Sequence, residues 1–110
     1  MTNFFERLRM FMRKRHPKVG KMIGTLIYDT EKSTPIAFWF VGGDSEGAGR
    51  KILLFRTKNG RYFTLDNLLR QIETIEKAEA KIHFIRFSDN QLCTGEVAFP
   101  GEEIGAISDA

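Results

Sequence analysis

Arg50-Lys-Ile-Leu-Leu-Phe-Arg-Thr-Lys-Asn-Gly-Arg-Tyr-Phe-Thr-Leu65 decides how this chain is read. Two apolar runs meet at Asn59-Gly60, a dipeptide favoured in two-residue hairpin turns because it tolerates positive φ at both central positions. Such a turn predicts Lys58 opposite Arg61, Thr57 opposite Tyr62 and Arg56 opposite Phe63. Ile52 and Leu54 would then share a face with Phe63 and Leu65, and Leu53 and Phe55 would share the other with Tyr62. Arg50, Lys51, Arg56, Lys58 and Arg61 are interleaved with Phe55, Tyr62 and Phe63. Like charges opposed at a tip are tolerated when solvated, so the pair Lys58 and Arg61 suits either open water or an anionic partner.

Upstream, Ile36 to Val41 is apolar without a break, which predicts a central strand buried on both faces. Between it and the hairpin lies Gly42-Gly-Asp-Ser-Glu-Gly-Ala-Gly49, a flexible loop. Its serine has no accompanying His-Asp arrangement, and the Gly-Lys-Ser/Thr ending of a phosphate loop is missing. Lys21 to Asp29 predicts a first strand, and Thr30 to Thr34, closed by Pro35, a turn. Nearest the N-terminus, Asn3 and Glu6 have capping-box spacing. Phe4, Phe5, Leu8, Phe11 and Met12 fall on one helical face, and Pro17 ends the helix. Its cations, Arg9, Arg13 and Lys14 among them, lie in water, meet nucleic acid or another anionic partner, or lie on a membrane surface.

Downstream, Asp66 is placed to cap a helix from Asn67 to about Glu79, with Leu68, Leu69, Ile72 and Ile75 as its apolar stripe. Lys81 to Ser88 and Leu92 to Phe99 read as strands around an Asp89-Asn90 turn, a register that sets His83 opposite Glu96. Pro100 stops the last strand, and 101–110 is an acidic, partly flexible tail. The expected fold is α+β: an N-terminal helix, a four-strand meander, a helix and a closing hairpin. That makes about six mostly antiparallel strands with helices packed on the sheet, in a single domain over 1–100.

The whole-chain numbers bound the chemistry. A length of 110 residues suits one core. No apolar run reaches the roughly 18 residues of a membrane span, and no signal-peptide pattern is present. Cys93 is the sole cysteine, which rules out an internal disulfide and a Cys-based zinc site. It reads as a small buried side chain, and a reducing cytoplasm is the expected location. His16, His83 and Cys93 lack metal-ligand spacing. His83 with Glu96 could form a base and its orienting carboxylate, but no nucleophile is tied to them and a cross-strand pair explains them more simply. No catalytic residue, cofactor or metal is assigned.

Charge is segregated although the net value is only +3. Residues 1–25 carry Glu6 as their one acid and residues 50–70 carry Asp66 as theirs, whereas residues 71–110 are acid-rich. A basic surface drawn from Arg9, Arg13, Lys14, Lys18, Lys58 and Arg61 could neutralise several phosphates. Tyr62 or Tyr28, if exposed, could stack on unpaired bases. No helix-turn-helix or zinc finger is visible.

At Tyr28-Asp-Thr-Glu31, at Ile36-Ala37 with Trp39, and at Leu54-Phe-Arg-Thr-Lys-Asn-Gly-Arg-Tyr-Phe63, the chain resembles a group of small bacterial proteins. These share a Tyr-Asp-Thr-Glu … Ile-Ala-x-Trp … Leu-Tyr-Arg-Thr-Lys-x-Gly-x-Phe-Phe pattern and often occur on plasmids, phages and other mobile elements. The likeness covers about residues 24–65. A Gly-rich stretch usually follows the second aromatic in the group, where this chain has Thr64-Leu-Asp-Asn67. The resemblance implies no activity, but it does imply a mobile-element accessory protein. The expectation is a non-enzymatic binding module that contacts nucleic acid, or a protein bound to nucleic acid, through a basic surface. The alternative is an anti-defence inhibitor that blocks a host nucleic-acid machine through protein contacts.

Overall fold

The computed structural model describes residues 17–41 and 50–102. The expected N-terminal helix with Arg9, Arg13 and Lys14, the Gly42–Gly49 loop and the tail from residue 103 lie outside the described residues.

The described residues form an α+β arrangement of two antiparallel sheets and helices. A ribbon of β1 (Gly20–Ile23) and β2 (Leu26–Asp29) precedes a four-stranded sheet. That sheet contains β3 (Thr34–Phe40), β4 (Lys51–Arg56), β5 (Tyr62–Asp66) and β6 (Gln71–Ile75), in that spatial order. Then come α1 (Lys77–Arg86), a 3-10 turn at Ser88–Asn90 and the short α2 (Gly95–Ala98).

Side chains alternate across a strand, so a sheet covered on both faces has two cores. On one face Leu53, Phe55, Phe63, Leu65 and Ile72 bury against Tyr28, with Val19, Ile23 and Leu26 of the ribbon region packed around them. On the other, Leu54, Tyr62, Ile36 and Ala37 bury against Ala80 and Phe84 of α1 and Ala98 and Phe99 at the end of α2. The sheet is therefore the middle of three layers.

The structure corrects the sequence reading in several places. The stretch Lys21–Asp29 is two strands that turn at Gly24-Thr25, with Gly24 at φ 65, a conformation glycine adopts without steric cost. The apolar strand β3 is covered on both faces as expected, but it lies at the sheet edge instead of the centre. Its outer side is met by the segment after the 3-10 turn, through an Ala37–Gln91 bridge and a 2.9 Å bond from Leu92 N–H to the Ile36 carbonyl.

The β4–β5 connection is a three-residue loop, Lys58-Asn59-Gly60, so the pairing runs Arg56 with Tyr62, Phe55 with Phe63 and Leu53 with Leu65. A one-residue slip reverses which faces meet. Leu53 and Phe55 accordingly share a core with Phe63 and Leu65, and Leu54 shares one with Tyr62.

No helix runs from Asn67. The Asp66 carboxylate does accept from the amides of Leu68 (3.0 Å) and Leu69 (2.9 Å), as a cap would. Arg70 then takes φ 55, which ends the turn and starts β6. The helix instead occupies Lys77–Arg86, overlapping only the last residues of the expected helix and replacing most of the strand expected over Lys81–Ser88. Lys-Ala-Glu-Ala-Lys81 consists of strong helix formers, and Ala80 and Phe84 stack one turn apart on the sheet. The Leu92–Phe99 strand is likewise replaced, by a bend and α2, whose first turn is capped by the Thr94 hydroxyl accepting from Val97 N–H. Cys93 is buried, as expected. Among the described residues no helix is long and apolar enough to cross a membrane.

Candidate nucleic-acid interface

The β4–β5 turn is built by local hydrogen bonds. Thr57 N–H donates to the Arg61 carbonyl (2.8 Å), Gly60 N–H donates to the Thr57 carbonyl (3.0 Å), and the Thr57 hydroxyl accepts from Arg61 N–H (3.0 Å). Gly60 sits at φ 81, the left-handed position that completes a three-residue hairpin loop. Lys58 and Asn59 project at the apex, and Arg61 lies exposed just beyond it.

Residues of this tip line two depressions. A shallow one of ≈ 200 Å³ is lined by Ile27, Asp29, Lys32, Ser33, Thr57, Lys58 and Asn59. Asp29 in its wall is engaged locally, its carboxylate accepting from Glu31 N–H at 2.9 Å. A second, open cleft of ≈ 370 Å³ is lined by Arg61, Tyr62, Thr74, Ile75, Tyr28 and the start of α1, including Lys77 and the carboxylates Glu76 and Glu79. Lys32, Lys58 and Arg61 carry no ion pair among the described residues. Lys77 and Lys81, one turn apart on α1, both pair with Glu102. That arrangement raises the Lys77 pKa and lowers that of Glu102.

Of the sequence-predicted contact residues, Lys58 and Arg61 belong to the same tip but line different depressions. Lys18 is exposed and 3.7 Å from Glu31, a solvated pair of small energetic weight. Tyr62 is 3% exposed and Tyr28 6%, so neither presents a ring face for a base to stack on. Tyr62 stacks instead on Phe99 at 5.0 Å, and Tyr28 meets Phe63 edge-on. Burial raises the Tyr62 pKa, against the opposing pull of Arg56 and Lys77. Arg9, Arg13 and Lys14 lie outside the described residues.

The expected pairing of His83 with Glu96 does not form. His83 lies on α1 with its ring flat against Trp39 at 4.7 Å, while Glu96 is exposed on α2. The nearest carboxylate is Glu79, at 4.0 Å from His83 Nε2. Burial lowers the His83 pKa; Glu79 opposes that shift and Arg86 adds to it. No group of three His, Cys, Asp or Glu among the described residues is placed to hold a metal ion.

The sequence reading missed Lys32 and Lys77. Lys32 sits in the polar turn before β3 and Lys77 at the start of α1, near the end of the helix expected from Asn67 to about Glu79. Nothing in their own neighbourhoods marks them, and only the folded topology brings each beside the hairpin tip. Comparison with protein-family models, with curated proteins and with solved structures gives no match to this chain.

Proposed function

We propose that this protein is a non-catalytic binding module that contacts nucleic acid through the β4–β5 turn. The observation that carries this reading is the grouping of Lys32, Lys58 and Arg61 around one rigid tip, none of them neutralised by a carboxylate among the described residues. A hydrogen-bonded turn loses little backbone freedom when its cations meet phosphate, and each phosphate neutralised releases condensed counterions. Arg61 suits a phosphate contact through its planar fork, and Lys58 and Lys32 act as point charges. The pattern shared with mobile-element proteins adds the proposal of an accessory role on such an element.

Fluorescence-anisotropy titration of labelled nucleic acids at low and moderate salt tests this. Micromolar binding that weakens steeply with salt is expected. No binding at low salt overturns the reading.

One observation favours protein contact as a second reading. Met22 and Ile27 are cross-strand partners on the ribbon, each 66% exposed, and Ile27 lines the same depression as Lys58. Under that reading the module would block a host nucleic-acid machine by covering its surface. Capture of a specific partner that survives nuclease treatment, and that is lost in a Met22→Ser, Ile27→Ser variant, would favour it over direct nucleic-acid contact.

A further inference from the structure

The β1–β2 ribbon has two faces, and one of them is already used: Ile23 and Leu26 pack against the core that contains Tyr28. Alternation puts Met22 and its cross-strand partner Ile27 on the other face, where each is 66% exposed. We propose that the N-terminal segment of the same chain covers this pair, lying back along the ribbon as an amphipathic helix.

The point at which that segment joins the fold is fixed. The Thr30 hydroxyl donates to the Pro17 carbonyl (3.2 Å) and accepts from Val19 N–H (3.0 Å), and Thr30 N–H donates to the Val19 carbonyl (2.9 Å). Thr30 is fully buried, so residues 17–19 are held as a continuation of the ribbon. Met22 lies five residues further on, about 16 Å at the rise of a strand. A helix that reverses direction at Pro17 spans the same distance in about eleven residues. Pro17 disfavours helix at the residue before it, which sets the reversal there. Counting back eleven residues brings Phe4, Phe5 and Leu8 level with Met22 and Ile27, and these belong to the apolar face of the segment. The sixteen residues before Pro17 are therefore long enough to cover the pair and carry the right face.

A second copy of the chain fits this face less well. A stable interface needs on the order of 800 Å² from each partner, far more than two side chains on a two-stranded ribbon supply. A tethered segment works at high effective concentration, so a small contact is enough. The docking also has a consequence for charge. At helical spacing Arg7 and Lys14 border one edge of the apolar face and Arg9 and Arg13 the other. Ile27 lines the depression that holds Lys32 and Lys58, so a pair of cations joins them whichever way the segment lies. That consequence rests on the nucleic-acid reading above; the docking does not.

Nuclear Overhauser contacts in the full chain test the docking. The methyl groups of Met22 and Ile27 should show contacts to ring protons of Phe4 and Phe5. A mixture of methyl-labelled chain with deuterated phenylalanine and unlabelled chain reports contacts between copies, and should show none. Absence of the contacts in the single chain, or their appearance only between copies, overturns the proposal. Met22→Ser with Ile27→Ser keeps every cation, and by releasing the segment it should weaken nucleic-acid binding about tenfold. Undiminished affinity in that variant, with the contacts present in the parent, overturns the joined cation surface and leaves the docking standing. A parent that shows the contacts but binds no nucleic acid supports the docking and overturns the reading beneath its consequence.

Discussion

Tyr62 and Ala98 are joined across 36 residues by a 2.6 Å hydrogen bond, the phenol on β5 donating to the carbonyl at the end of α2. The bond ties the hairpin strand that carries the contact tip to the last helical turn of the described chain. Both groups are buried, so removing the donor leaves a carbonyl without a partner. Tyr62→Phe keeps the ring stack on Phe99 and should cost about 1–2 kcal/mol of stability, read by urea unfolding. The raised Tyr62 pKa adds a pH signature. The contribution it brings is fully present below its ordinary value of 10.0 and is lost as pH rises through the folded value, so the variant should lose less stability above pH 10 than the parent.

The stack of Trp39 on His83 supplies a second prediction, because Trp39 is the only tryptophan. Burial holds the His83 pKa below 6.5 and favours the neutral ring in the fold. Between the folded value and 6.5 the unfolded chain binds the extra proton, so stability falls as pH is lowered through that window. Trp39 fluorescence should titrate with a midpoint below 6.5. His83→Phe should abolish that titration and flatten the dependence of the unfolding midpoint on pH in the same window.

Asp66 organises the β5–β6 turn that replaces the expected helix. One carboxylate oxygen accepts from Leu68 and Leu69 N–H, and the other receives both Arg50 Nε and an Arg50 terminal nitrogen, each at 2.8 Å. Burial alone would raise its pKa, but the Leu69 amide, Arg50 and the Leu68 amide outweigh it and the net shift is downward. Asp66→Ala should cost roughly 1–2 kcal/mol through the lost cap and the stranded Arg50 contact. The parent should lose that contribution as pH falls below 3.8 through the folded value, whereas the variant should not.

These residues also show how far the sequence could be read. The α+β class, the antiparallel sheet and the buried Cys93 were legible, since they follow from strand alternation and composition. The register of the central hairpin was not, because Asn-Gly serves both a two-residue turn and the end of a three-residue loop, and the choice rests on Thr57 accepting from Arg61 N–H. The helix was misplaced because Leu68, Ile72 and Ile75 satisfy helical spacing while Leu68 is in fact exposed in a turn. Ile82-His-Phe-Ile-Arg-Phe87 alternates loosely enough to pass for a strand, although the spacing of Ala80 and Phe84 is helical. At the candidate site, Lys58 and Arg61 were visible from the turn, whereas Lys32 and Lys77 depended on topology.

Cys93 tests the helix-side core. Burial pushes its thiol up to about 12, so native protein at pH 8 should react with a thiol reagent only through opening of the fold. Labelling should be slow in buffer and rapid in urea. Fast labelling of folded protein would show that Cys93 does not pack in the core with Ala80 and Phe84 of α1.

Gly60 sets the tip on which the functional reading depends. At φ 81 an alanine is strained by about 1–2 kcal/mol, although a Cβ would meet only Arg56 at an ordinary 3.7 Å. Gly60→Ala should lower the melting temperature, whereas Gly60→Asn should lower it less because asparagine tolerates the left-handed region. Both variants keep the cations, so any loss of nucleic-acid affinity in them reports the shape of the turn.

Backbone amide shifts of isotopically labelled protein, followed while duplex DNA is added, test the contact surface most directly. The shifts should concentrate at Lys32 and at Thr57 to Arg61, and fade as salt is raised. Shifts centred instead on Leu68 to Arg70 or on Met22 and Ile27, or none at saturating DNA, would contradict the account.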